Sequence, residues 1–472
     1  MKVLFKIALR NILRNRRRSL MTGSAVAAGA LATLLFGGFA AYIFAGLETN
    51  SVQSIGHITV FRAGYFLFGA GNPAAYGIDH YQEVMTLIGN DPVLRPMINV
   101  MTPTQSLVGI AGNFSGENDA SKTFIGVGLI PSDRDRMRLW NEFGAGANHP
   151  PDTRLSDADE TRGLIGFGLA RILGLCESLA LQNCPAVPRA STGPTAAAVS
   201  ADLTELASRD ANDSGGAGEP GQKPAAPHIE LLAATAGGAP NVVSLMVGGA
   251  DPQAVKELDD NYIAMPLPLA QQLVYGRGEH KVTGIVLQFH RSEDLPAARA
   301  RLLTLFRDHK LDLDVRDFGE LTPFYGQAVK LFSTIFLFIA LVMGVIVLFA
   351  VVNTMTMNVM ERTNEIGTIR ALGVRRGAVR LQFVAEGWLI GAIGATVGSG
   401  FALLVAAWVN HGGATWTPPG NASAVPLQLA VANNPGLIVG AWVGLVLIAT
   451  IAALLPANSA GRLAVVDALR HV

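Results

Sequence analysis

The long apolar runs of this chain contain almost no charge. No Asp, Glu, Lys or Arg lies in the core of the runs at Ser19–Leu47, Leu331–Met360, Gly387–Val409 and Gly436–Leu455. Charges inside a membrane mark ion pathways, proton relays and voltage sensors, so ion-coupled transport lacks its machinery. Nucleotide chemistry is missing too. No G-x-x-x-x-G-K-[ST] segment occurs, nor even a Gly-Lys dipeptide, so no loop here cradles nucleotide phosphates. Gly163-Leu164-Ile165-Gly166-Phe167-Gly168 follows no βαβ opening and reads as a tight turn. His57, His80, His149, His228, His280, His290 and His309 are scattered, without an i,i+4 pair or H-E-x-x-H. Glu117 and Asp119 read as a solvated turn rather than a calcium loop. No metal site is expected, and no nucleophile, base and orienter can be assembled, so the chain is read as no enzyme. Lys+Arg and Asp+Glu each number 36. That balance carries no signature of a nucleic-acid partner.

What is present is a pattern. Half the residues are hydrophobic and 15% are charged, a composition suited to a membrane protein with one sizeable soluble domain. Each run is long enough for a hydrocarbon core of roughly 30 Å, which takes about 20 apolar residues. The expected architecture is an α-helical membrane protein with four transmembrane helices in a 1+3 arrangement. A large extracytoplasmic mixed α/β domain is inserted between the first and second. The expected spans are residues 19–47, 328–360, 384–409 and 436–456, with the inserted domain at 48–327 and a short outer loop at 410–435. A cleavable signal peptide would have an apolar core of roughly 7–15 residues, about half the length of the first run.

Orientation follows from basic residues. Lys2, Lys6, Arg10, Arg14, Arg16, Arg17 and Arg18 precede the first run with no acid before Glu48, placing that end in the cytoplasm by the positive-inside rule. The 361–383 loop and the 457–472 tail are basic as well, and four crossings then put 48–327 outside. Residues 1–18 repeat a basic residue every fourth position, as an amphipathic interfacial helix would. Cys176 and Cys184, the only cysteines, fall in the exported domain, where a disulfide is expected; two unlinked thiols are the alternative. Residues 190–227, rich in Ala, Gly, Pro, Ser and Asp, are expected to be a disordered insert. Strands are expected at His57–Arg62, Lys122–Val127, Val242–Val247, Tyr262–Met265, Val282–His290 and Leu311–Asp317. Helices are expected at Leu164–Leu175, Leu267–Tyr275 and Leu295–Asp308, with Tyr262–Asp317 forming a small α/β subdomain. In the third run Gly387 with Gly391, and Gly394 with Gly398, form small-xxx-small pairs that admit close helix packing.

Directly after the second run comes Glu361-Arg362-Thr363-Asn364-Glu365-Ile366-Gly367-Thr368-Ile369-Arg370-Ala371-Leu372-Gly373. It reads as a short amphipathic helix with Ile366, Ile369 and Leu372 on one side and Gly373 as C-cap, suited to a partner's groove. The segment resembles the E-R-x-x-E-I-G-x-x-R-A-x-G signature of the MacB/FtsX/LolC group of ABC-transporter permeases. Ala8–Arg17, Gly168-Leu169-Ala170 with Leu173-Gly174-Leu175, Leu258–Tyr262 and Asn458–Leu469 are similar to further elements of that group. Cys176-Glu177-Ser178 departs from the Gly-Asp that often follows there.

The resemblance implies a permease in a bacterial inner membrane, both termini cytoplasmic and the main domain periplasmic. Its coupling helix (Glu361, Arg362, Glu365, Ile366, Gly367, Ile369, Arg370, Ala371, Gly373) would dock on an ABC ATPase, two copies per complex, with a second permease chain, identical or homologous. ATP and Mg would belong to that partner, leaving no cofactor in this chain. Membrane lipids and a periplasmic adaptor or lipoprotein carrier are the further partners implied. The cargo would be a lipid, lipoprotein or other amphiphile taken from the outer leaflet. Phe36, Phe39, Tyr42 and Ile43, with Met343 and Val347, are the candidate lining of its path; ordinary helix packing is the other reading of those six. MacB-like efflux of peptides or drugs through an adaptor, and FtsX-like signalling with no cargo, are the alternatives.

Overall fold

The computed structural model describes residues 8–463 except 9, 13, 70–72, 115–119, 146–151, 182–183, 185–226, 254, 277, 279 and 418–423. The interfacial helix at Lys2 and Lys6, Glu117 and Asp119, His149, most of the 190–227 insert and the end of the tail therefore lie outside the described residues. The chain divides into two compact units, one of residues 1–45, 327–415 and 426–472, the other of residues 46–326 and 416–425.

In chain order the principal elements begin with α1 (Arg16–Ile55), β1 (Ile58–Arg62), α2 (Tyr81–Asn90), β2 (Ile98–Asn113) and β3 (Ala120–Leu129). Next come α3 (Pro131–Arg138), β4 (Arg162–Ile165), α4 (Phe167–Ile172), β5 (His228–Ala234) and β6 (Pro240–Ala250). Then follow β7 (Tyr262–Pro266), α5 (Leu267–Tyr275), β8 (Gly284–Phe289), α6 (Leu295–Asp308) and β9 (Leu313–Asp317). The chain closes with α7 (Pro323–Glu361), α8 (Thr363–Ala371), α9 (Arg376–His411) and α10 (Pro435–Arg462).

Among the described residues, α1, α7, α9 and α10 are long and apolar enough to cross a membrane. Each starts before and ends after its apolar run. The 40 residues of α1 and 39 of α7 extend about 60 Å at 1.5 Å per residue, roughly twice the hydrocarbon thickness. Their core joins Val26 and Ala30 of α1, Val347, Val351 and Met355 of α7, Ile390 and Ala395 of α9 and Ala449 and Ala453 of α10. The glycines of α9 serve two neighbours. A Cβ on Gly387 or Gly391 would meet Ala453 or Ala449 of α10 at 2.4 and 2.7 Å. One on Gly398 would meet the Ala27 carbonyl oxygen of α1 at 2.3 Å, and one on Gly394 the Gly23 oxygen at 2.8 Å.

The second unit holds a nine-stranded sheet ordered β3-β7-β4-β6-β5-β2-β8-β1-β9, with β3 also paired to β2. That extra pairing closes six strands into a ring. The C-terminal part of β2 lies in the ring, opposite β3 and β5. Its N-terminal part, Ile98–Thr104, pairs with β8 and belongs to an open sheet with β1 and β9. Two cores result. One fills the ring beneath α4 and α5, around Phe124, Ile165, Leu169, Leu245 and Met265. The other packs α2 and α6 on the open sheet, around Ile58, Ile88, Leu287, Phe289 and Phe306. The expected Tyr262–Asp317 subdomain is thus divided: β7 and most of α5 belong to the ring, β8, α6 and β9 to the open sheet. Nor is Leu164–Leu175 one helix, since Leu164 and Ile165 close β4 and only Phe167–Ile172 is helical. Cys176 and Cys184 are joined by a disulfide.

Backbone polar groups explain how this unit ends α1. The last carbonyls of a helix have no partner within it. Arg134 donates to the Gln53 and Ser54 oxygens at 3.1 and 2.5 Å, and Gln288 donates to that of Val52 at 3.3 Å. Gln53 returns donors to Arg138 and Trp140 at 3.0 and 2.8 Å. A guanidinium at a helix C-terminus also opposes its dipole. Beside it, Arg138 and Asp251 form an ion pair at 2.6 Å with both side chains buried.

Candidate functional site

One residue, Arg362, separates α7 from α8. Its backbone leaves helical geometry (φ −106°, ψ 14°), which re-aims the chain. The Thr363 hydroxyl bonds the Val359 and Met360 carbonyls at the end of α7, and the Arg362 amide also donates to the first. At the other end Gly373 takes φ +94°, a conformation that costs any L-side chain. The Gly373 amide donates to Arg370 O and the Val374 amide to Ile369 O at 3.0 and 3.3 Å, the paired closure of a Schellman motif. The chain re-enters a helix at Arg376, so residues 372–375 alone connect α8 to α9.

A charged collar fixes α8. Glu365 forms an ion pair with Arg14 and accepts from Arg362 Nε at 2.9 Å. Arg362 Nη1 donates to Glu386 of α9 at 3.2 Å, and Asn11 donates to the same oxygen at 2.6 Å. The guanidinium also lies over the Phe383 ring at 5.8 Å. Arg18 pairs with Glu361 at 2.6 Å, and Arg370 donates to the Leu463 carbonyl. Hydrogen bonds from Arg14 and then Arg362 hold the Glu365 carboxyl below its ordinary pKa. Side chains of Glu365 and Arg14 stay 42% and 62% exposed, whereas Glu386 is 3% and Arg362 12% exposed. The buried Arg362–Glu386 pair is therefore the energetic centre of the collar. Sequence reasoning passed over Glu386, which stands one residue before the charge-free part of its run. The polarity of Asn11 and its position four residues from Asn15 were the signals available.

The expected docking face needs correction. Ile366 and Gly367 are buried, Ile366 packing with Val359, Val379, Phe383, Ala457 and Ala460. That side holds α8 to its own unit. The exposed apolar groups lie at the far end instead: Ile369, Leu372 and Val374, with Leu372 82% exposed. Glu361, Arg362, Glu365 and Arg370 make up the collar, while Ala371 and Gly373 form the exit.

The six residues expected to line a substrate path divide between a seam and buried packing. Phe36 stacks on Phe336 at 6.5 Å and Phe39 meets Phe332 edge-on at 6.1 Å. These rings close a seam between α1 and α7, with Ile43 and Met343 half-buried. Tyr42 and Val347 line nothing open. Tyr42 is buried, and Val347 is wholly enclosed because Gly29 opposite has no side chain, an added Cβ there lying 3.1 Å from Val347.

Among the described residues no cluster of His, Cys, Asp and Glu could hold a metal ion. The arrangement consists of long helices, a short helix held by Arg14, Arg362 and, through Arg362, Glu386 of α9, and an exposed apolar tip. This defines the class, a multi-pass membrane protein with a short helix whose tip is apolar and exposed. Comparison with known proteins gives the family. Residues 337–465 match the FtsX-like permease C-terminal family, from within α7 through α10. The uncharacterized ABC transporter permease YknZ of Bacillus subtilis is 29% identical over 202 residues, 41% of this chain and 46% of that protein. The macrolide export ATP-binding/permease protein MacB of Bdellovibrio bacteriovorus is 26% identical over 239 residues, 48% of this chain and 33% of that protein. MacB of Neisseria meningitidis serogroup B is 38% identical over 144 residues, 30% and 20% of the two chains. The chain thus spans less than half the length of these relatives. The crystal structure of the periplasmic region of MacB from Actinobacillus actinomycetemcomitans aligns over 57% of this chain and 93% of its own, at 13% identity and a TM-score of 0.26, too weak to carry weight. Residues 337–465 are thus FtsX-like, and the chain is similar to permeases of the MacB/FtsX type.

Proposed function

We propose that the chain is the permease subunit of an ATP-driven transporter that works by mechanotransmission. A separate ATPase grips the α8 tip; two such subunits serve a pair of permease chains, identical or homologous. The membrane arrangement is one crossing, the exported 48–327 domain, then three crossings. The observation that carries this reading is the collar: Glu365 of α8 bonds Arg14 and Arg362, and Arg362 bonds Glu386 of α9, so displacement of α8 is passed to α9 and to the segment leading into α1. Within the second unit, the last carbonyls of α1 are clamped by Arg134 and Gln288. Opening the Phe36–Phe336 and Phe39–Phe332 seam lets an amphiphile, a lipid or lipoprotein, enter sideways from the outer leaflet. Several relatives are named as macrolide exporters, which favours a second reading, efflux of a drug or peptide through a periplasmic adaptor.

The test uses Ile369→Asp with Leu372→Asp. Both side chains are exposed at the tip, so helix packing is untouched. The double variant is expected to insert and purify normally yet lose its co-purifying ATPase. Retention of a stoichiometric ATPase would overturn the docking assignment.

A further inference from the structure

The last turns of α7 before Glu361 carry four polar, uncharged side chains: Asn353, Thr354, Thr356 and Asn358. Two of them are met by α1. Thr354 bonds Thr22 at 2.6 Å, and Asn358, which is buried, accepts from Asn15 at 3.3 Å. Asn353 and Thr356 instead face outward, and neither side chain makes a hydrogen bond among the described residues. Thr334, Thr396 and Thr450 return their hydroxyls to the carbonyl four residues back, at 2.7, 2.7 and 2.6 Å. Thr356 does not.

These two groups belong to a seam. Ile346, Phe349, Asn353, Thr356 and Met360 recur at alternating spacings of three and four, and all five are exposed. Val347, Val351 and Met355, the side that packs within the chain, lie opposite. Spacing of that kind is the a/d pattern by which one helix pairs with another along its length. Depth makes the pairing necessary. Asn353 stands about 12 Å along the helix from Glu361, whose carboxylate meets Arg18 at the basic end of α1. A hydrocarbon half-thickness is about 15 Å, so the amide lies where lipid tails offer no hydrogen bond and an unmet polar group is costly.

We propose that this seam binds α7 of a second, identical copy of the chain, the two Asn353 amides bonding each other across a twofold axis. A carboxamide carries donors and an acceptor together, so the same residue on the same face completes it reciprocally, as a twofold contact requires. Asparagine at one a position fixes register and pairing in two-stranded coils, and asparagines bond across helices in membranes. A passing amphiphile would leave the amide unmet between visits; a resident copy does not. The inference rests on the reading of the chain as one of a permease pair and narrows the mate to an identical chain. It does not depend on the ATPase contact at α8.

The experiment is oxidative cross-linking in membranes of the full chain expressed without other subunits. Cys176 and Cys184 are joined to each other, so an introduced cysteine supplies the free thiol. Phe349→Cys and Met360→Cys are expected to give covalent dimers at least fivefold above Leu404→Cys, whose site on α9 is 67% exposed. Adding Asn353→Leu should lower the Phe349→Cys dimer by about threefold or more, with expression of the chain unchanged. Asn353→Gln keeps the amide and should hold the dimer within about twofold of its starting level. Equal cross-linking at Leu404→Cys, or a Phe349→Cys dimer that Asn353→Leu leaves unchanged, would overturn this interface while leaving the permease pair standing. No dimer at either α7 position would overturn the identical mate. Ile369→Asp with Leu372→Asp should leave every cross-link in place, so this inference and the docking assignment fail separately.

Discussion

Removing the Arg362 guanidinium should damage this protein more than any other single change in the collar. Arg362→Ala strips Glu386 of its cation while leaving it 3% exposed, with the Asn11 amide at 2.6 Å and the Gln382 side chain as neutral hydrogen-bond partners that cannot replace the charge. An uncompensated buried charge costs about 3–5 kcal/mol, which exceeds a hundredfold in population at 1.4 kcal/mol per tenfold. Arg14→Ala breaks an exposed pair and should leave stability nearly unmoved. Replacing both members, Arg362→Met with Glu386→Leu, removes the charge that needed compensation. Apolar substitutes for buried pairs are often neutral, so most of the loss should be recovered. The assay is the fraction of full-length protein that stays monodisperse through a heat ramp in mild detergent. If Arg362→Ala tracks Arg14→Ala, or if the double variant is as unstable as the single one, the reasoning fails. A recovered double variant would lack the charged link from α8 to α9 and keep only the Arg14–Glu365 pair and the Arg370–Leu463 bond.

Two further outcomes follow from the geometry. His57 is fully buried and accepts from the Phe289 amide through Nδ1 at 2.9 Å, and burial lowers its pKa from 6.5 to about 4. The unfolded chain therefore binds the extra proton first, so stability present above pH 6.5 drains away as pH falls toward 4, by about 3 kcal/mol; His57→Gln should flatten this slope in thermal unfolding at pH 7 and 4.5, and an unchanged slope would refute it. Gly398→Val drives a side chain into the Ala27 backbone and should cost at least about 1–3 kcal/mol, whereas Gly400→Ala, with open space around it, should gain up to about 1 kcal/mol; equal midpoints for the two would count against the α1–α9 packing.

Much of the fold was legible because its signals are local. Leu267–Tyr275 and Leu295–Asp308 each carry apolar residues at helical spacing between breakers, and both are helices over those bounds. Charge-free runs marked the four long helices in the same way. What escaped was set by distant partners. β2 reads through Thr102-Pro103-Thr104-Gln105-Ser106, a segment with little strand character, and is extended because β3, β5 and β8 supply its ladders. The docking signature located α8 but not its orientation. Ile366 and Ile369 share a side on the pattern, yet Val379, Phe383 and Ala457 cover the first and leave the second bare. Likewise Phe36 and Val347 are equally apolar in sequence; only the absent side chain of Gly29 decides that Val347 is enclosed.

The sixteen residues of β2 have a consequence for how the second unit can be divided. Both cores draw on one continuous ribbon, so cutting between them severs no linker but bares a row of amide and carbonyl groups along Ile98–Thr104. Naked rows of that kind recruit foreign strands and clump. The two halves are therefore obliged to be made, matured and inherited as one object, and variation has to enter at the tips of strands rather than by exchange of either half.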